Sequence, residues 1–403
     1  MKHIVILGSN FAGSTAAFEL ARKLKGEHKI TVVSPSTDFL YVPSLIWVPF
    51  GRRKVKNISF DIRGLMNKKG IDFVHDKATK INPGTNIVNT ESHGDIKYDY
   101  IVIATGVSLY FDGIKGLESK NEFTQCIASP KMAEKAYEEY KKLVKDPGPV
   151  VVGATQGASC MGAGYEYLFN LEKELRKSKV RKKVDITWIT PEPFLGHFGI
   201  EGIYGGKRML EIFMKMFNIR WITDASIKEV QKDKIILDSG EELPYKLSML
   251  MPPFKGAAPI LNSPEICDDK GFIPCHDTYQ HVKYSNIYAA GLAVQVKAPF
   301  KEMKTPFGVP KTGFPSDVQG KIVANNILHA ITGKSKEKAE AFGKIPGICI
   351  MDAGDKEVLI LTNHLFKPRQ FEIMIPNVIA SFGKWMLEKY MLIKNKRGWA
   401  MLP

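Results

Sequence analysis

The sequence predicts an α/β protein: two interleaved Rossmann-like dinucleotide-binding domains followed by a C-terminal membrane-associating segment. Three observations carry this. The chain opens on an apolar strand, a glycine turn and a helix. The same order restarts at Pro149. A late apolar strand, Asn286–Gly291, returns to the first half. The first domain is expected at about 1–113 and 286–335, the second at about 114–285, and the C-terminal segment at about 340–403. Lys334–Lys344 reads as a charged, helical linker.

Residues 3–33 read strand, turn, helix, strand, with the strand at His3–Leu7 and the helix at Ser14–Leu24. The turn is Gly8-Ser9-Asn10-Phe11-Ala12-Gly13, or G-x-N-x-x-G. Gly8 permits the tight turn and Gly13 a close helix–strand approach. The helix N-terminus then faces a pyrophosphate. A lone match of this kind is weak, but its context is the required one. The next strand ends in Ser34, so the usual acidic ribose ligand is replaced by a hydroxyl. A structural βαβ turn is the plain alternative.

Tyr98–Gly106 is an apolar strand ending in Ala104-Thr105-Gly106. Two-domain flavoproteins carry this segment beside the adenine half of FAD. Asn286–Gly291 resembles the strand that ends under the flavin, although Leu292 stands where most have Asp. Lys311-Thr312-Gly313 follows, then a helix at about Asp317–Leu328. Its N-terminus would favour reduced, anionic flavin. Lys311 adds a full charge there or is simply solvated.

The second turn runs Gly153-Ala-Thr-Gln-Gly157-Ala-Ser-Cys160, with Glu166 in the helix beyond it. The paired strand, Asp185–Ile189, ends in Thr190-Pro191-Glu192-Pro193. An NADH site wants an acidic ribose ligand at that strand end. Here a proline-stiffened loop replaces it. A thiol in the turn suggests sulfur as the electron donor. Cys160, near a helix start, is expected to have a lowered pKa.

Composition is globular: 44% of the 403 residues are hydrophobic and 25% charged. No run of 18 apolar residues occurs, so no spanning helix is expected. The first strand begins almost at Met1, leaving no room for a signal peptide; cytoplasmic synthesis is the expectation. A charge of +15 reads as a solvated surface or as affinity for an anionic membrane or nucleic acid. No nucleic-acid motif appears. Five cysteines without a C-x-x-C pair disfavour zinc and a secreted disulfide framework. Cys267 and Cys275 read as inert.

With Gly157-Ala-Ser-Cys160, Glu192–Gly202, Val309–Gly313 and Ile348–Asp355 in view, the chain resembles the sulfide:quinone oxidoreductases, flavoproteins of the disulfide-reductase superfamily. The match covers nearly the whole chain. It implies FAD, hydrosulfide and a membrane quinone as cofactor and substrates, and a homo-oligomer. By motif, the family's three cysteines correspond to Cys126, Cys160 and Cys349. The latter two form the redox pair that holds sulfur. Cys126, whose motif is loose, is the position bonded covalently to the flavin in some members. His197 looks like the family histidine near the active centre, or is a loop histidine without catalytic work. Glu166 is a proton carrier or a surface glutamate. The rival readings are a type II NADH:quinone oxidoreductase and a flavin-binding sulfur carrier without turnover.

Residues 371–403 read as the quinone end. The stretch from Ile375 mixes apolar bulk (Val378, Phe382, Trp385, Met386) with Lys389 and Tyr390. Lys384, Lys389, Lys394, Lys396 and Arg397 would meet anionic headgroups from a helix lying in the membrane interface, giving peripheral, monotopic attachment. Packing on the protein core is the alternative. Phe382 and Tyr390 are the aromatics expected to sandwich the quinone ring.

Overall fold

The computed structural model describes all residues except 119, 120, 302, 378, 379 and 401–403; Val378 therefore lies outside the described residues. One parallel sheet runs in the order Ile287–Ala289, Tyr100–Ile103, His3–Leu7, Lys29–Ser34, Asp72–His75. Its central strand is fully buried at Ile4, Val5 and Ile6. A parallel strand covered on both faces reads as a continuous apolar run, which is why HIVIL contains no alternation. Each such side chain contributes about 1.5–3 kcal/mol by burial. A second parallel sheet runs Ile219–Ile222, Ile186–Ile189, Val150–Ala154, Leu247–Met251. A third, antiparallel sheet joins Gly347–Asp352, Glu357–Thr362 and Glu372–Asn377. The helix Ala380–Arg397 follows it.

Two helices start earlier than the pattern suggests. The first spans Phe11–Leu24, because Asn10 is extended and the turn's own residues form the first helical turn. The helix after Thr312 runs Gly313–Thr332 and stops at left-handed Gly333. The linker is not helical: only a short turn, Phe342–Lys344, interrupts an extended strap. The Asn325 and Asn326 amides donate to the Lys336 and Lys338 carbonyls at 2.7 Å, and Lys338 N–H donates to Asn326 at 2.8 Å. These side chains take up backbone groups that a helix would need for itself.

The C-terminal helix corrects the expected arrangement of charges. Lys384, Glu388, Lys394 and Asn395 are buried, whereas Phe382, Trp385, Met386 and Ile393 are exposed. Lys384 pairs with Glu166, and Lys394 pairs with Asp317 at 2.5 Å. Neither lysine is available to a headgroup; Lys389, Lys396 and Arg397 remain on the outside. Among the described residues, no helix is long and apolar enough to cross a membrane.

Candidate active site

The first turn is held by close packing. A Cβ on Gly8 would overlap the Ala104 carbonyl, and one on Gly13 would overlap the Gly8 carbonyl. Gly8 also has φ +105°, so the two requirements coincide. This packing sets Ala104-Thr105-Gly106 against the turn. Gly313 lies on the Phe11 ring, where a Cβ would come within 2.9 Å. The N-termini of the 11–24 and 313–332 helices therefore converge, and their partial positive charges add. Gly291 sits beside Ala12 and donates its N–H to Gln319 at 2.5 Å.

Asn10 Oδ1 and Thr105 Oγ1 are buried without a hydrogen-bond partner in this region. Two orphaned polar atoms beside paired helix N-termini fit a phosphate-rich dinucleotide such as FAD. Ser9 Oγ donates to Ser34 Oγ at 2.9 Å, and Ser34 Oγ donates to the Ser36 carbonyl at 2.8 Å. Ser34 thus secures the turn and retains acceptor capacity for a sugar. Lys311 is not freely charged. Its ammonium donates to the Leu292 and Val294 carbonyls at 3.1 and 2.8 Å and lies 3.5 Å from the Phe272 ring centroid. Burial pulls its pKa down to about 7. Thr312 provides the extended N-cap without a side-chain cap bond.

Cys160 caps the helix Met161–Lys177, and Cys349 projects from the first strand of the third sheet. The fold brings Cys160 within electrostatic reach of both Cys126 and Cys349. All three are free thiols. Cys349 is exposed, Cys160 half-buried and Cys126 buried. Cys160 does not have the lowered pKa expected of it. Burial pushes it up, Glu166 adds to this, and the Ala163 amide offsets only part. Burial pushes Cys349 to about 12 and Cys126 to about 11. All three shifts run against the thiolate form.

Glu166 is the carboxylate that bears on both Cys160 and Cys349. It raises the pKa of both Cys160 and Cys349 and is ion-paired to Lys384. Its Oε1 accepts the Asp352 N–H at 2.7 Å. Burial pushes Glu166 above the usual carboxylate range, against the pull of Lys384. Burial also opposes the Lys384 ammonium, but Glu166 and Asp352 hold it above the ordinary lysine range. Asp352 accepts from Trp47 Nε1 at 2.6 Å and lies 3.5 Å from Arg52. Sequence reasoning placed Lys384 among the headgroup lysines, gave Asp352 no role of its own, and did not single out Trp47 or Arg52. Asp352, three residues beyond Cys349 in one motif, was the available signal.

His197 is 2% exposed, with ring centroids of Phe300, Phe307 and Phe194 at 4.8, 5.0 and 5.1 Å. Burial, with Lys367 adding, lowers its pKa to about 4, and Nδ1 has no partner. It is a neutral imidazole in an aromatic cage. Glu192, the carboxylate nearest the second strand end, is fully buried. It accepts from Tyr165 Oη at 2.9 Å, Thr190 Oγ1 at 2.8 Å and Phe198 N–H at 2.6 Å. It therefore braces the loop bearing His197 and is not offered to a ribose.

Phe382 and Tyr390 cannot clasp one ring between them. Eight residues along a helix separate them by about 12 Å. Phe382 instead stacks on Trp385 at 5.7 Å, and Tyr390 packs against the core of the first domain.

Residues 2–299 match the family model described as pyridine nucleotide-disulphide oxidoreductase. A sulfide-quinone reductase of Aquifex aeolicus is 34% identical over 98% of this chain and 92% of its own length. A mitochondrial sulfide:quinone oxidoreductase of Dictyostelium discoideum is 30% identical over 72% of this chain and 64% of its own length. The crystal structure of the Aquifex aeolicus sulfide:quinone oxidoreductase superposes with a TM-score of 0.93 at 33% identity, covering 99% of this chain and 92% of that one.

Proposed function

Because the chain belongs to the pyridine nucleotide-disulphide oxidoreductase family and, within it, to the FAD-binding sulfide:quinone oxidoreductases, we propose that it oxidises hydrosulfide at Cys160 and Cys349 and delivers the electrons to a membrane quinone. The observation that supports the cysteine assignment is their convergence, from different sheets, on the Glu166–Lys384 pair.

The chemistry follows from that geometry. Oxidation of the two free thiols, for which FAD would supply the two-electron acceptor, would join Cys160 and Cys349 in a bridge, and hydrosulfide attacks that bridge. One sulfur becomes a persulfide and the other leaves as thiolate. Glu166 receives the proton released at the sulfurs, and Lys384 keeps its carboxylate charged until it does so. FAD, held by Gly8, Ser9, Asn10, Ala12, Gly13, Ala104, Thr105, Gly106, Gly291, Thr312 and Gly313, supplies a two-electron acceptor that quinone can reoxidise. Cys126, buried at 5% exposure, is the position for any covalent flavin link. His197, caged and neutral, keeps the loop dry beside the site. Attachment to the membrane is peripheral, through the exposed apolar face of the C-terminal helix, with Phe382 at its edge near the quinone entrance. A homo-oligomer remains our expectation, to be read from its mass in detergent.

Titrating the purified flavoprotein with sulfide, under argon, tests the assignment. Cys160→Ser and Cys349→Ser keep their flavin but lose its bleaching by sulfide, whereas Cys267→Ser and Cys275→Ser bleach normally. Wild-type turnover in either of the first two variants removes the bridge from the mechanism.

A further inference from the structure

A cleft of about 390 Å³ opens where the turn after residue 50 meets the C-terminal helix. Arg52, Arg53, Lys54, Asn57, Trp385 and Lys389 line it, with no acidic residue among the lining side chains. Two of its cations are fixed in place. Arg53 Nε donates to Glu388 at 3.0 Å and its guanidinium lies 4.8 Å from the Trp47 ring. Arg52 is held by Asn170 and Asp352. Glu388 is buried and shared by Ser44, Arg53 and Lys389, so it neutralises only part of the charge. Lys54 is exposed and makes no ion pair among the described residues.

Trp385 gives this cleft its orientation. It lines the basic cleft and also belongs to the exposed apolar face with Phe382, Met386 and Ile393. A molecule with an anionic head in the cleft would lay an apolar tail along that face. Planar, fixed guanidinium groups suit phosphate oxygens, and a mobile lysine adds point charge. We propose that this cleft is a binding site for the phosphate headgroup of an anionic phospholipid. The proposal rests on the peripheral-attachment reading above and adds to it a defined, stereochemically built site.

Flotation of the holoenzyme with vesicles separates the two. The probes are phosphatidylcholine vesicles and the same vesicles doped with phosphatidylglycerol. Lys54→Gln/Lys389→Gln should lower affinity for the doped vesicles by about 5-fold per charge, hence about 25-fold. Binding to neutral vesicles and flavin content should stay unchanged. Lys182→Gln/Lys183→Gln, in exposed positions before the second strand of the second sheet, removes equal charge and should leave the preference intact. The site is overturned if the first variant keeps its preference for phosphatidylglycerol. It is equally overturned if the control variant loses as much, since diffuse charge then suffices. Lys54-dependent binding of soluble glycerol 3-phosphate by wild-type protein that shows no preference for phosphatidylglycerol vesicles would make this a small-anion site and refute the lipid. A wild-type protein that floats with neither vesicle overturns the attachment reading itself. If the double variant does not fold, Lys54→Gln alone carries the test.

Discussion

Replacing Lys384 by Met isolates what the buried pair does. Lys384 and Glu166 side chains are 7% and 14% exposed. Removing one partner of a buried pair leaves an uncompensated charge, at about 3–5 kcal/mol. One pH unit corresponds to about 1.36 kcal/mol of difference between protonation states. The cheaper response is therefore for Glu166 to take up a proton at neutral pH. It is already raised by burial, and the Asp352 N–H is the remaining group that favours its charge. A protonated Glu166 cannot accept a proton from sulfur. Sulfide-driven flavin reduction should slow at pH 7 and recover only in alkali, its pH profile displaced by at least about one unit. Glu166→Gln/Lys384→Met removes both charges. It should restore stability to within about 1 kcal/mol of wild type, since a neutral buried pair carries little penalty. Its rate should remain about 10²-fold down or more at every pH, the usual loss of a general base. Stopped-flow bleaching across pH and urea unfolding with flavin retention give both quantities. An unshifted profile for Lys384→Met, or wild-type bleaching by the double variant, would refute the assignment of Glu166 as the base.

Glu192 gives a stability test. Burial raises it to about 7, above its unfolded value near 4.5, so the folded state binds the proton more tightly. Its contribution is present below pH 4.5 and lost as pH rises through 7. Relative to Glu192→Gln, wild type should lose about 3 kcal/mol between those limits; a pH-independent difference in the unfolding midpoint would refute it. NADH should not bleach the flavin at a useful rate, because the carboxylate at the second strand end is committed inward; rapid bleaching in stopped flow would revive the rival activity.

The sequence carried the architecture because its signals are local. Gly8 and Gly13 mark close approaches that only glycine allows, and the unbroken HIVIL run marks a strand covered on both faces. Cys160 and Cys349 were proposed for a related reason, as unusual residues in ordered motifs. The pKa of Cys160 was not. A helix N-terminus can be read from spacing, but the depth of protein around a sulfur cannot. The C-terminal lysines failed in the opposite direction. A lysine among aromatics reads as a surface charge until its partner is known, and Glu166 lies 218 residues from Lys384. The helical linker failed because Asn325 and Asn326, outside it, decide its backbone.

The inside-out C-terminal helix also has a mechanical consequence. Lys384 fastens it to the helix that begins at Cys160, and ten residues later, about 15 Å along the axis, Lys394 fastens it to Asp317 at the start of the 313–332 helix. One rod is thereby bolted to both halves of the molecule. Two-domain proteins ordinarily rock about their interface. Here a hinge opening would have to break at least one of two buried ion pairs. With both pairs intact, the C-terminal helix holds the helix after Cys160 and the 313–332 helix at a set spacing, so the two halves are joined by a third element as well as by their own interface.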